Sequence, residues 1–130
     1  MASSAALREL QRDLESQANA LSKLQKDIAK NHRVRKQYTI QLGENELVLK
    51  ELELLNENAN VYKLIGPVLV KQDLAEAKAN VRKRIEYISA ELKRLDGTLQ
   101  DLEDRQNNKK DSIVKLQQKI QTLQAGKAKP

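Results

Sequence analysis

Asn56-Glu57-Asn58-Ala59-Asn60, followed by Val61-Tyr62-Lys63-Leu64-Ile65-Gly66-Pro67-Val68-Leu69-Val70, interrupts an otherwise helical pattern. The asparagine cluster ends the helix before it, since Asn side chains compete for local backbone hydrogen bonds. β-branched and aromatic residues then flank a Gly-Pro turn, which reads as a β-hairpin. Val61 and Ile65 share one strand face while Tyr62 and Leu64 share the other, so both faces carry apolar residues. A lone two-stranded hairpin is marginal in water, and its open edges are templates for pairing with other strands. The expectation is that Val61, Tyr62, Leu64, Ile65, Val68, Leu69 and Val70 form an oligomer interface, buried by association with other subunits.

Upstream of this break, apolar residues recur at alternating steps of three and four: Leu7, Leu10, Leu14, Leu21, Leu24, Ile28, Tyr38, Leu42, Leu49 and Leu52. Extending the register places Gln17, Asn31, Arg35 and Asn45 on the same line. Downstream the series restarts at Leu74 and runs through Val81, Ile85, Ile88, Leu92, Leu95, Leu99, Leu102, Ile113, Leu116, Ile120 and Leu123, with Lys78, Gln106 and Lys109 filling the gaps. A sustained seven-residue repeat is the seam of a coiled coil. Asp73 with Glu76 three residues later has the form of a capping box that starts the second helix. Each arm is about 70–75 Å long at 1.5 Å per residue, and must bury its stripe to be stable. Near-equal arms with one break are expected to fold back on each other.

The expected fold is therefore dominated by α-helix. It is a long antiparallel two-helix coiled coil with a central β-hairpin, in a single domain spanning the chain. The expected limits are a helix at about 4–56, the hairpin at about 60–71, a second helix at about 73–124 and a basic tail at 125–130. One allowed antiparallel alignment sets Asn45 against Lys78 and Gln17 against Gln106, so that polar residues meet polar residues and no buried donor faces Leu. It leaves Ile120 and Leu123 beyond the last paired layer.

Composition narrows the function. Of the residues, 32% are charged and 39% apolar, with three Tyr and no Phe, Trp or Cys. Leu, Ile, Val and Ala mixed with Glu, Lys, Arg and Gln is the composition of long helices. The absence of Cys excludes disulfides and thiolate metal sites, and the single histidine, His32, builds no site alone. There is no phosphate loop, no nucleophile with a His partner and no metal-ligand cluster. An enzyme, a cofactor and a metal are thus not expected. Nor is a membrane span, for want of an apolar run of about 18 residues. The N-terminal residues lack the form of a secretory signal, and the expected location is cytoplasmic.

Net charge is +6, dispersed along the chain. Glu51, Glu53 and Glu57 read as a solvated helix face rather than as ligands. The basic runs His32-Arg33-Val34-Arg35-Lys36 and Arg82-Lys83-Arg84 read as salt-bridged flanks rather than phosphate sites, because stacking aromatics are missing. Arg35, on the seam, is expected to carry its head past the core edge. Gly43 and Gly97 lie off the seam inside the helices, either as points of flexibility or as surface drift.

The run Asn60-Val61-Tyr62-Lys63-Leu64-Ile65-Gly66-Pro67-Val68-Leu69-Val70-Lys71-Gln72 resembles the central hairpin of β-class prefoldin subunits. The stretch from Glu76 to Ile88, Glu-Ala-Lys-Ala-Asn-Val-Arg-Lys-Arg-Ile-Glu-Tyr-Ile, narrows the resemblance to one subunit type, and Glu44-Asn45-Glu46-Leu47-Val48-Leu49-Lys50-Glu51-Leu52 is also similar. The specific likeness covers residues 41–95; the outer arms match only as generic heptads.

The resemblance implies a hetero-hexamer of two α-class and four β-class subunits, whose hairpins build a β-barrel body from which coiled coils project. It implies ATP-independent capture of unfolded clients, notably actin and tubulin chains, at the coiled-coil tips, with transfer to the cytosolic group II chaperonin. Leu7, Leu10, Ile120 and Leu123 are the residues expected at client-binding tips, since exposed apolar patches mark interaction sites; otherwise they are ordinary seam residues. Lys127 and Lys129 in the basic tail are expected to aid electrostatic encounter with the chaperonin. Two rival readings are a structural coiled-coil tether and a basic RNA-binding helical arm. Dispersed charge and scarce aromatics count against the second, and no nucleic-acid partner is expected.

Overall fold

The computed structural model describes residues 2–128. Helix α1 (Ala2–Glu53) is followed by strands β1 (Val61–Ile65) and β2 (Val68–Gln72) and by helix α2 (Leu74–Ala128). Contacts divide the chain into two compact units. One is Arg33–Asp96, which holds the hairpin; the other comprises Met1–His32 and Gly97–Pro130.

Every seam position read from the heptads is buried or half-buried, on α1 from Leu7 to Leu52 and on α2 from Leu74 to Leu123. Burial is deepest on α2, where Ile88 and Leu95 are only 2% exposed. In Arg33–Asp96, Arg35 pairs with Asp96 and Glu53 with Arg82. In the other unit, Leu10 shares a recess with Leu123, and His32 approaches Glu103. In each unit the partner's number falls as the α1 number rises, so the helix segments run antiparallel within it.

The alignment differs from the polar-on-polar one. Gln17 shares a recess with Ser112, Lys115 and Leu116, not Gln106. Asn45 shares a groove with Asn80, Val81 and Arg84, not Lys78. These neighbours correspond to a shift of about one heptad. The polar seam residues of α1 satisfy themselves instead. Asn31 donates to the Asp27 carbonyl at 2.8 Å and Asn45 to the Gln41 carbonyl at 2.7 Å, each one turn back on its own helix. Arg35 carries its guanidinium out to Asp96, with Nε to Oδ1 at 2.6 Å. That hydrogen bond, and then the attraction of the same carboxylate, raises the Arg35 pKa above its ordinary value. With mutual satisfaction unnecessary, aliphatic layers decide the register. Gln17→Cys with Ile113→Cys is expected to close a disulfide readily on mild oxidation, and Gln17→Cys with Gln106→Cys to stay open, as read on non-reducing gels.

Gln17 is the exception among these polar residues. Its Oε1 is buried and has no hydrogen-bond partner. An unsatisfied buried acceptor costs its desolvation. Gln17→Leu is therefore expected to stabilise the chain by about 1–2 kcal/mol in urea unfolding; an unchanged midpoint would show that the oxygen is wetted.

Helix α1 stops at Glu53, short of the expected limit near 56. Leu54 and Leu55 donate to the carbonyls three residues back, Glu51 and Leu52, at 3.2 Å. The chain winds tighter there and leaves the helix before the asparagines arrive. At the start of α2, Ala77 donates to the Asp73 carbonyl at 2.8 Å, which puts Asp73 at the N-cap. At its other end α2 continues to Ala128, so residues 125–128 of the expected basic tail are helical, and 129–130 lie outside the described residues. Gly43 and Gly97 both face open space, with no atom within 4 Å of where a Cβ would stand.

Candidate protein-interaction surfaces

The hairpin is built by a two-residue turn. Ile65 pairs directly with Val68, leaving Gly66 and Pro67 at the tip. Gly66 has φ 57°, a left-handed value that side chains resist, and Pro67 supplies the fixed negative φ that follows. Positive φ at the first central position alone is the type II′ pattern, whose twist suits a hairpin.

The register sorts the side chains. Val61 lies opposite Gln72, Lys63 opposite Val70 and Ile65 opposite Val68 on one face; Tyr62 lies opposite Lys71 and Leu64 opposite Leu69 on the other. Each face thus presents apolar residues with one lysine among them. Six of the seven expected interface residues, Tyr62, Leu64, Ile65, Val68, Leu69 and Val70, are exposed in the isolated chain, with Leu64 at 67% and Leu69 at 65%. Val61 is the odd one out. It is half-buried and, with Lys63 and Gln72, walls a groove of about 270 Å³ against Val48, Leu52, Ala77 and Val81 of the same chain. The open end of the hairpin therefore lies beside its own helices, Tyr62 lining the same groove, while Ile65, Val68 and Val70 on one face and Leu64 and Leu69 on the other stay exposed.

In the unit of the chain ends, Leu10 and Leu123 line an open recess of about 540 Å³ with Lys115, Gln118, Lys119 and Thr122. Leu7, Leu10 and Leu123 are half-buried. Ile120 is not at the surface: it is 8% exposed and belongs to the core. The one-heptad shift gives Ile120 the α1 neighbours that the polar-on-polar alignment denied it. The lysine rim went unread because charged residues off the seam look alike in sequence. Lys129 lies outside the described residues, as does the side chain of Lys127.

Each basic run contributes to interhelical pairs, His32 and Arg35 from the first and Arg82 from the second. Arg82 Nη2 lies 3.4 Å from Glu53 Oε1, and His32 Nε2 is 3.9 Å from Glu103 Oε1. Such exposed pairs are worth little individually. Beside them, a hydrogen bond with Tyr87 holds the Tyr38 phenol above its ordinary pKa. The neutral form is favoured in the fold, so this small contribution is present below the ordinary phenol pKa and fades as pH rises through the raised one.

Ile40, Leu47, Val48, Leu54 and Leu55 are also exposed, although none lies on the seam or the hairpin. The seven-residue spacing of Ile40, Leu47 and Leu54 was the sequence signal for them, masked by the stronger seam beside it. Among the described residues no group of three or more His, Cys, Asp or Glu is placed to hold a metal ion, and no helix is long and apolar enough to cross a membrane.

Two long helices joined by a central antiparallel hairpin, with apolar surface left open on the hairpin, define the class of coiled-coil assembly subunits. The family described as "Prefoldin subunit" matches residues 7–125. The chain is 77% identical over 127 residues to prefoldin subunit 6 of Arabidopsis thaliana, covering 98% of each chain, and 44% identical over 119 residues to prefoldin subunit 6 of Homo sapiens, covering 92% of each. The fold matches the crystal structure of the prefoldin beta subunit from Thermococcus strain KS-1 with a TM-score of 0.73 at 23% identity, over 78% of this chain and 89% of that one. The chain belongs to the prefoldin family, and subunit 6 is the subunit type that the stretch from Glu76 to Ile88 resembles.

Proposed function

We propose that the chain is one subunit of a cytoplasmic hetero-hexameric co-chaperone that captures unfolded proteins, actin and tubulin chains among them, without ATP and passes them to the group II chaperonin. Membership of the prefoldin family supports assembly with other prefoldin subunits and a co-chaperone role. The observation that carries the reading is the hairpin, whose two strands pair, among the described residues, only with each other and whose apolar residues stand in solvent on both faces. Tyr62, Leu64, Ile65, Val68, Leu69 and Val70 hold the assembly, with Val61 anchoring the hairpin to its own helices. Clients meet Leu7, Leu10 and Leu123; Ile120 joins them only when the paired ends open. Weak apolar contacts on several subunits together grip an extended chain by avidity.

Native mass spectrometry of the endogenous complex tests this. A hexamer containing two subunit classes is expected, together with suppression of aggregation of a denatured client. A lone dimer that leaves aggregation unchanged supports the tether instead. Strongly salt-dependent RNA binding would favour the nucleic-acid arm.

A further inference from the structure

The geometry points to a polar hinge in the coiled coil at which the ends of α1 and α2 part as one unit, delivering Leu14, Leu116 and Ile120 to a client. The inference rests on client capture as proposed above. It adds which buried residues take part and the device that frees them. Gln17 shares a recess with Ser112, Lys115 and Leu116, and Leu10 shares one with Leu123. These neighbours set Gln17 against Ile113. Stepping along the seam from there, Leu21 faces Lys109, Leu24 faces Gln106 and Ile28 faces Leu102. In the other direction Leu14 faces Leu116, Leu10 faces Ile120 and Leu7 faces Leu123. Three successive layers, at Gln17, Lys109 and Gln106, thus hold one polar partner each. Aliphatic layers lie on both sides of them.

Burial follows the same pattern. All residues from Glu103 to Ser112 are polar, and none from 103 to 115 is buried. Leu102 before this block, and Leu116 and Ile120 beyond it, are each 8% exposed. Lys109 carries its charge outward, so Leu21 opposite gives up part of its cover. The Gln17 Oε1 is buried with no partner, which weakens its layer further. Both helices nevertheless run through the block unbroken. Neither 2–24 nor 98–125 contains Gly or Pro, and such helices curve gently rather than kink. The three aliphatic layers beyond the block therefore do not peel away singly. They open together, pivoting where adhesion is weakest, and close again by burying the same leucines. Leu7, Leu10 and Leu123, half-buried at the surface, meet a client first. Opening then adds Leu14, Leu116 and Ile120.

Thiol labelling tests this, since the chain has no cysteine of its own. Leu99→Cys, Leu116→Cys and Ile120→Cys are made singly in the full chain. Each is made again together with Gln17→Leu, Gln106→Leu and Lys109→Leu, which fill the block and strengthen the fold. Leu116→Cys and Ile120→Cys are expected to label at similar rates, at least about tenfold faster than Leu99→Cys. The three leucines are expected to slow both by at least about tenfold. In the cysteine-free chain they are expected to impair capture as well. The reconstituted complex carrying them then needs several-fold higher concentration to suppress aggregation of a denatured client.

Rates that fall steadily from Ile120→Cys through Leu116→Cys to Leu99→Cys would mean fraying from the ends and overturn the hinge. Rates untouched by the three leucines overturn it too. Slowed labelling with undiminished suppression overturns the part of the buried residues in capture. If the unaltered complex suppresses nothing, client capture itself fails, and the labelling rates still judge the hinge.

Discussion

Replacing Leu64 and Leu69 together by Asp is expected to dissolve the oligomer and leave the helices standing. The two leucines face each other across the hairpin and are largely exposed in the single chain, so the monomer loses little by their removal. Their burial in an assembly contributes roughly 1.5–3 kcal/mol each. Aspartates at both positions forfeit that gain and must also be desolvated if the contact is to form. Like charges placed directly opposite each other loosen the strand pair as well. The helices, α1 of 52 residues and α2 of 55, supply nearly all the far-ultraviolet dichroism. Native mass spectrometry of the reconstituted complex is expected to show loss of this subunit, with the dichroism nearly unchanged. Normal assembly of the variant would mean that the interface lies elsewhere.

The largest loss of stability is expected from truncating Ile88 or Leu95 to Ala. These are the two side chains buried to 2% exposure. A two-helix coiled coil has no second layer to relax into a hole, so the lost transfer energy and the cavity both count. Each substitution is expected to cost about 2–5 kcal/mol in urea unfolding. Leu47→Ala, the same chemistry on an exposed position, is the control, expected within about 0.5 kcal/mol of the unaltered chain. If Leu95→Ala and Leu47→Ala proved equally mild, the seam would not be where stability resides.

Much of this was legible in the sequence because periodicity reports burial directly. Leu7 to Leu52 and Leu74 to Leu123 fell on the seam position by position, and the hairpin announced itself through Gly66-Pro67 and its β-branched flanks. What was not legible depends on how two stripes are set against each other. Alignments a heptad apart bury similar leucines, and the polar residues looked like the tie-breaker. They were not, because Asn31 and Asn45 bond to their own helix and Arg35 escapes to Asp96. Ile120 followed the same error, placed at an unpaired end by the rejected alignment and found in the core. The band of Ile40, Leu47 and Leu54 escaped notice for a different reason: once a helix has a buried stripe, a second one reads as noise.

The self-bonded asparagines have a consequence for how the chain can change. A polar group whose hydrogen bond is supplied by its own backbone asks nothing of the residue facing it. Position 31 or 45 can become Leu without a matching exchange on α2, and the facing position can vary without stranding an amide. The two arms are thus free to drift separately through many generations, each answerable only to the aliphatic layers they share.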